Sequence, residues 1–129
     1  MDFNENKPIY LQITDGIMDE ILAEIYPAEG RLLSVREYAA KVEVNANTVM
    51  RAYDWLQQQK IIFNKRGIGF FVMPDARKRI IEMRKNIFFQ EEASYFFGRL
   101  STFGMMPEDL ARLYSEYLSS EDKIRITNK

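Results

Sequence analysis

Ile9, Ile13, Ile17, Ile21 and Ile25 recur every four residues, with Met18 and Leu22 alongside, behind a proline at position 8. That spacing puts one apolar stripe on a helix that opens with Pro8 as its first residue and runs to about Ile25, where Pro27 and Gly30 stop it. Ser34-Val35-Arg36-Glu37 has the form of a capping box and opens a short helix through Val42. Glu43-Val44-Asn45 is a three-residue connection, and Asn45 caps a third helix whose apolar positions are Val49, Ala52, Tyr53 and Leu56. This helix ends near Lys60. Two short β-type runs follow, Ile61-Ile62-Phe63 and Phe70-Phe71-Val72, joined by the turn-rich and basic Asn64-Lys65-Arg66-Gly67-Ile68-Gly69.

Beyond Pro74 the apolar spacing changes. Residues 76–103 read as one long helix in which Phe89, Ala93, Phe96, Leu100 and Phe103 alternate at steps of four and three, an a/d seam. Ile80, Ile81, Ile87, Phe88, Tyr95 and Phe97 lie on its other faces, more apolar surface than one neighbour can cover. Gly104 caps this helix and Pro107 opens another, with Leu110, Leu113, Tyr114, Tyr117 and Leu118 as its expected buried stripe. After Ser119 the chain turns polar, and a frayed tail is expected.

Helix, helix, tight turn, helix and hairpin is the order of a winged helix-turn-helix. If Val49, Tyr53 and Leu56 face the core, then Asn47, Thr48 and Arg51 face outward near the start of the third helix, the end that a recognition helix inserts in the major groove. Asn bonds adenine through two hydrogen bonds, Arg does the same with guanine, and Thr offers a hydroxyl and a methyl. Charge agrees once it is divided along the chain. The net charge is −1, but residues 1–30 carry seven acids against one Lys, residues 31–85 twelve Lys and Arg against five acids, and residues 86–129 five against seven. The basic block covers the proposed recognition elements. Lys65 and Arg66 suit phosphate neutralisation or a narrow minor groove, and Gly67 lets the hairpin tip turn and approach closely.

Composition removes other classes. With neither Cys nor His, the chain has no Cys/His zinc site, thiol nucleophile or imidazole base. Asp15, Asp19, Glu20 and Glu24 read as a solvated helix face, so no catalytic residue, metal ligand or cofactor is expected. No run has the length of a membrane span and the start has no secretory pattern, so a cytoplasmic protein without membrane association is expected.

The segments Pro8–Ile13, Gly30–Glu37, Val44–Tyr53 and Arg66–Val72 together resemble the DNA-binding domain of the GntR family. The resemblance implies DNA contacts from Arg36, from Asn45, Asn47, Thr48 and Arg51, and from the wing at Lys65, Arg66 and Gly67. It also marks departures: Leu33 stands where proline is usual, Ala46 replaces a frequent proline, Glu43 and Lys60 replace frequent glycines, and Phe70 takes a small polar position. The short C-terminal part resembles that of the YtrA subfamily.

The expected protein is mostly α with a small β-hairpin: a winged helix-turn-helix over residues 1–74, then a two-helix dimerisation unit over residues 75–129, with Phe89, Ala93, Phe96, Leu100 and Phe103 in the seam. Its partners would be double-stranded operator DNA and a second copy of itself; an aromatic-rich dimer core could also hold a small apolar effector. The rival reading is a winged helix that serves only as a protein-interaction module and lacks salt-dependent binding to duplex DNA.

Overall fold

The structure is a computed structural model that describes residues 6–120, so the expected frayed tail lies outside the described residues. Its elements in chain order are α1 (Ile9–Leu22), α2 (Val35–Val42), α3 (Ala46–Gln58), β1 (Ile62–Lys65), β2 (Gly69–Val72), α4 (Ala76–Glu91), α5 (Ala93–Thr102) and α6 (Pro107–Ser119). The chain divides into two compact units, Met1–Lys85 and Asn86–Lys129, so the helix that follows the hairpin begins in the first unit and ends in the second.

In the first unit α1, α2 and α3 surround one core. Ile13, Ile17, Val49, Ala52, Tyr53, Leu56, Ile61 and Ile80 are fully buried in it. Burial of a Val, Leu or Ile side chain contributes about 1.5–3 kcal/mol. Ile80, together with Ala76, brings the first turns of α4 into this core. The four-residue isoleucine spacing is therefore met at Ile13, Ile17 and Ile21, while Ile9 and Ile25 at its two ends are exposed. Two expectations for α1 are corrected. It stops at Leu22 rather than near Ile25, because Glu24 turns left-handed (φ 62°) and leaves Ile25 outside the helix. Pro8 is its N-cap rather than its first residue, and the Pro8 carbonyl accepts from the N–H of both Leu11 and Gln12.

Expected caps are met elsewhere. The Ser34 hydroxyl accepts from the Glu37 N–H (3.1 Å) and the Glu37 carboxylate accepts from the Ser34 N–H (2.9 Å). Hydrogen bonding from Ser34, its backbone N–H first and then its side chain, holds the Glu37 carboxyl below its ordinary value. Asn45 Oδ1 accepts from the Asn47 N–H at 2.7 Å.

Strands β1 and β2 pair antiparallel, Ile62 with Val72 and Lys65 with Gly69. The chain before α2 flanks β2 on its other edge: the Leu32 N–H donates to the Phe70 carbonyl, the Val72 N–H to the Gly30 carbonyl, and the Glu29 N–H to the Val72 carbonyl, each at 2.9 Å. Strand β2 is thus hydrogen-bonded along both of its edges.

The second unit departs further from expectation. The single helix over 76–103 is broken at Glu92 (φ −119°), between α4 and α5, so the seam does not continue in one phase from Phe89 to Phe103. Neither proline nor glycine occupies the break, which is why spacing alone reads through it. The α5 terminus does use its glycine: Gly104 (φ 76°) follows the helix while the Met105 N–H returns to the Leu100 carbonyl and the Gly104 N–H to that of Ser101. Helix α6 forms with Pro107 first and the Asp109 carboxylate accepting from the Met106 N–H, which holds that carboxyl low. Its expected buried stripe is not buried within the chain: Leu113, Tyr114, Tyr117 and Leu118 are all exposed and Leu110 is partly so. A lone helix has no second surface against which to bury that stripe.

Helices α1, α2 and α3 end alike, with a residue other than glycine in the left-handed region: Glu24, Glu43 (φ 59°) and Lys60 (φ 61°). In α3 the Ile61 N–H reaches the Leu56 carbonyl and the Lys60 N–H that of Gln57, both at 2.9 Å, while Ile61 and Leu56 are buried. The left-handed conformation costs a side-chain-bearing residue about 1–2 kcal/mol, from which the greater freedom of unfolded glycine would subtract about 0.4–1. Glu43→Gly and Lys60→Gly are therefore each expected to stabilise the chain by about 0.5–1 kcal/mol, read as a rise in thermal midpoint. A fall in midpoint for both would mean that the side chains contribute more than the backbone strain.

Candidate nucleic-acid interface

Placement of the polar face begins with what α3 buries. Val49, Ala52, Tyr53 and Leu56 point into the core, so Asn47, Arg51, Asp54 and Gln58 share the exposed side. Asn47 and Arg51, four apart, lie one above the other. Thr48 and Met50 are half-buried at its flanks. Asn45 is committed to capping, with its side-chain oxygen held by the Asn47 N–H.

The Arg51 guanidinium lies over the Tyr10 ring, 4.0 Å from its centroid. Pro8, Ile9, Tyr10, Asn47, Thr48 and Arg51 line a shallow groove of about 400 Å³ between the start of α1 and the start of α3.

A second groove, of about 320 Å³, separates the start of α2 from the hairpin and is lined by Arg31, Ser34, Arg36, Ile68 and Gly69 among others. Arg36 is exposed in the first turn of α2, fixed there by the Ser34–Glu37 box. Arg31 bridges to Phe71 of β2, and its guanidinium passes beneath Gly69. A Cβ at position 69 would stand 3.0 Å from Arg31 Nε.

At the tip, the Ile68 N–H donates to the Lys65 carbonyl (2.8 Å) across Arg66-Gly67, and Gly67 has φ 78°, as the third position of a type II turn requires. Lys65, Arg66 and Gly67 are all exposed, and the Lys65 ammonium sits 4.6 Å from the centroid of Phe71, itself stacked on Phe63.

The expected candidates of the first unit thus fall on three neighbouring elements: Arg36 on α2, Asn45 to Arg51 on α3, and Lys65 to Gly67 on the hairpin. Two residues that the sequence reading did not nominate join them. Arg31 sits within an extended segment whose hydrogen bonding to β2 has no local signature. Tyr10 meets Arg51 only through the packing of α1 on α3.

Elsewhere the cations are spent on the α1 acids. Lys7 pairs with Asp15, Lys41 with Glu20 (3.0 Å) and Arg84 with Asp19 (2.8 Å). The acidic face expected to be merely solvated is therefore largely neutralised. Arg31, Arg36, Arg51, Lys65 and Arg66 carry no ion pair among the described residues, a condition they share with Lys60, Arg77, Lys78 and Arg99.

Three helices with a basic hairpin after the third define a winged helix-turn-helix protein, the class that reads duplex DNA. Comparison with known proteins agrees. The profile of the bacterial regulatory proteins of the gntR family matches residues 9–72. The chain is 33% identical over 109 residues to an uncharacterised HTH-type transcriptional regulator, YhcF of Bacillus subtilis, covering 84% of this chain and 88% of that one. Over 82 residues it is 34% identical to the HTH-type transcriptional repressor YtrA of the same organism, covering 64% and 63%. Among solved structures, a GntR-family transcriptional regulator from Bacteroides thetaiotaomicron is 48% identical, with a TM-score of 0.78 over 88% of this chain and 99% of that one. The chain belongs to the GntR family and is a DNA-binding transcriptional regulator. Its relatives are regulators rather than enzymes, and no described helix is long and apolar enough to cross a membrane.

The two wing glycines differ in what they demand. Gly67 has open space around it and needs only its backbone conformation, whereas Gly69 (φ 145°) needs both its conformation and the room taken by Arg31. Gly67→Ala is expected to cost about 0.5–1 kcal/mol of stability, and Gly69→Ala more than that. Thermal unfolding of the two variants beside the parent measures the order; Gly67→Ala as the costlier change would contradict it.

Proposed function

We propose that the chain is a repressor that binds a palindromic operator as a homodimer, acting in the cytoplasm. The observation that carries this reading is the exposed Asn47–Arg51 face of α3, flanked by the cationic hairpin and left without acidic partners. In this reading α3 enters the major groove, with Asn47, Thr48 and Arg51 toward base edges and Asn45 holding the helix start. Arg36, Lys65, Arg66 and the Gly67 backbone approach phosphates or the adjacent minor groove. The DNA-reading part lies within residues 1–74. The naming of YtrA, a relative, as a repressor supports the sign of the regulation.

The dimerising part is drawn from residues 75–129, chiefly those beyond Lys85. Ala93 is the sole fully buried residue among the described residues of the second unit. Against it stand Ile87, Phe88, Phe89, Tyr95, Phe96, Phe97 and Phe103 on α4 and α5 and the residue that follows, all exposed, and the apolar stripe of α6 besides. Apolar surface of that extent marks an interaction face. Phe88, Tyr95, Phe96, Leu100 and Phe103 line a groove of about 650 Å³ with Arg99, Glu91 and Glu92 at its polar edge. A second copy covers this groove in our reading, with Phe89, Phe96, Leu100 and Phe103 contributing to the contact from either side of the Glu92 break; Ala93, expected in the seam, is already buried within the single chain and has no surface to add.

Selection of bound sites from a random duplex pool, run beside sedimentation of the protein, tests both halves. The expected product is a palindrome with half-sites about 34–36 Å apart or a multiple of that. Asn47→Ala should weaken binding by about 1–3 kcal/mol and relax base preference at one position of each half-site. Phe96→Asp should convert the dimer to a monomer and lower operator affinity with the first unit still folded. Recovery of no common sequence would refute the DNA-reading assignment, and a parent that sediments as a monomer at micromolar concentration would refute the dimer.

A further inference from the structure

We propose that Tyr10, at the start of α1, is a positioning residue for DNA recognition that holds the Arg51 guanidinium in the orientation in which it bonds the operator. The inference rests on the reading of α3 as the recognition helix and extends the recognition surface to an element outside the helix-turn-helix.

The geometry is that of a stacked cation. Arg51 is exposed on α3, and its guanidinium lies 4.0 Å from the centroid of the Tyr10 ring. Among the described residues, no carboxylate within 4.0 Å competes for it, although Asp54 is one turn further along the same face. Tyr10 itself is half-buried and packed against the core of the first unit, which fixes its ring.

A guanidinium carries its five N–H donors in its plane and none on its faces. A guanidinium that meets a ring through one of its faces therefore keeps its hydrogen-bonding edge available. An unsupported arginine on a helix surface samples many rotamers and must give up about 2 kcal/mol of side-chain entropy to form a two-bond contact. Tyr10 removes part of that freedom in advance. The ring adds cation–π attraction that strengthens as water is excluded. The same groove brings Asn47 and Thr48 beside the stacked pair, so the three polar side chains of α3 share one aromatic wall.

A double-mutant cycle on the sequence recovered from the duplex pool tests this. Tyr10→Ala should weaken operator binding about three- to thirtyfold, whereas Tyr10→Phe, which keeps the ring, should stay within about twofold of the parent. In an Arg51→Ala background, Tyr10→Ala should cause no further loss. Tyr10→Ala should also relax base preference at the same position as Arg51→Ala, a change that simple loss of stability would not confine to one position. Tyr10→Leu keeps apolar bulk without an aromatic face and carries the comparison if the alanine variant unfolds; it should bind as weakly as Arg51→Ala allows.

Additive losses for Tyr10→Ala and Arg51→Ala would overturn the proposal, as would a Tyr10→Phe variant as weak as Tyr10→Ala or a Tyr10→Leu variant as strong as the parent. Any of these from a parent that still selects a palindrome removes Tyr10 alone. A parent that selects no sequence removes the DNA-reading assignment and this proposal together.

Discussion

Tyr53 occupies the point at which α3, the hairpin and the approach to α2 converge, and its hydroxyl donates to the Leu33 carbonyl at 2.7 Å. The ring meets Phe70 of the hairpin edge-on, with centroids 5.0 Å apart, and lies 6.4 Å from Tyr38 of α2. A single fully buried side chain therefore relates the three elements whose exposed faces carry the candidate DNA contacts. Burial, with Tyr26, Tyr38 and Glu20 nearby, pushes its phenol well above the ordinary value, so it remains a donor. Tyr38 is raised for the same leading reason, and its hydroxyl donates to Glu20, which also receives Lys41. Loss of the Tyr53 hydroxyl would leave a carbonyl unpaired close to the core, a cost of about 1–3 kcal/mol.

The two family departures nearest to this cluster have local compensation. Leu33, unlike a proline, keeps a backbone N–H, which opposes the rise that burial gives the Tyr26 phenol. Phe70, in place of a small polar residue, supplies the edge-on contact with Tyr53. The tie from α4 to α1 has a similar logic: the Arg77 guanidinium donates to the Leu22 carbonyl at the end of α1 (2.6 Å), and Arg84 reaches both Asp19 and the Asp15 carbonyl. Arg77, a cation at the C-terminus of α1, meets one of its unsatisfied carbonyls and the negative end of its dipole.

Local signals explain how much was legible. The capping box at Ser34 and Glu37, the Asn45 cap and the apolar spacing of α3 are each written within a few residues, and each formed as read. The hairpin formed where expected but with a tighter tip: Asn64, Lys65 and Gly69, expected in the turn, belong to the strands, and Gly67 alone of the two glycines lies in the turn. The position of Arg51 on the exposed face followed from period alone, but its stacking on Tyr10 depends on two helices meeting and has no signature in either. The end of α1 was misread because Glu24 adopts a conformation that sequence statistics reserve mainly for glycine. The Glu92 break was invisible for the related reason that no residue there forbids a helix. In the second unit periodicity located α6 correctly and said nothing about what would cover its stripe, since amphipathicity identifies a face and not its partner.

That second unit has a calorimetric consequence. The heat capacity of unfolding comes chiefly from hydrating apolar surface, about 0.45 cal/mol/K for each Å² newly exposed. With Ala93 alone fully buried among its described residues, residues 86–120 already have much of their apolar surface in water while the chain is single. The curvature of stability with temperature in an isolated chain therefore belongs almost wholly to the first unit. Whatever molecule covers the aromatic face of α4 and α5 brings the missing heat capacity with it, as a negative heat-capacity change of association.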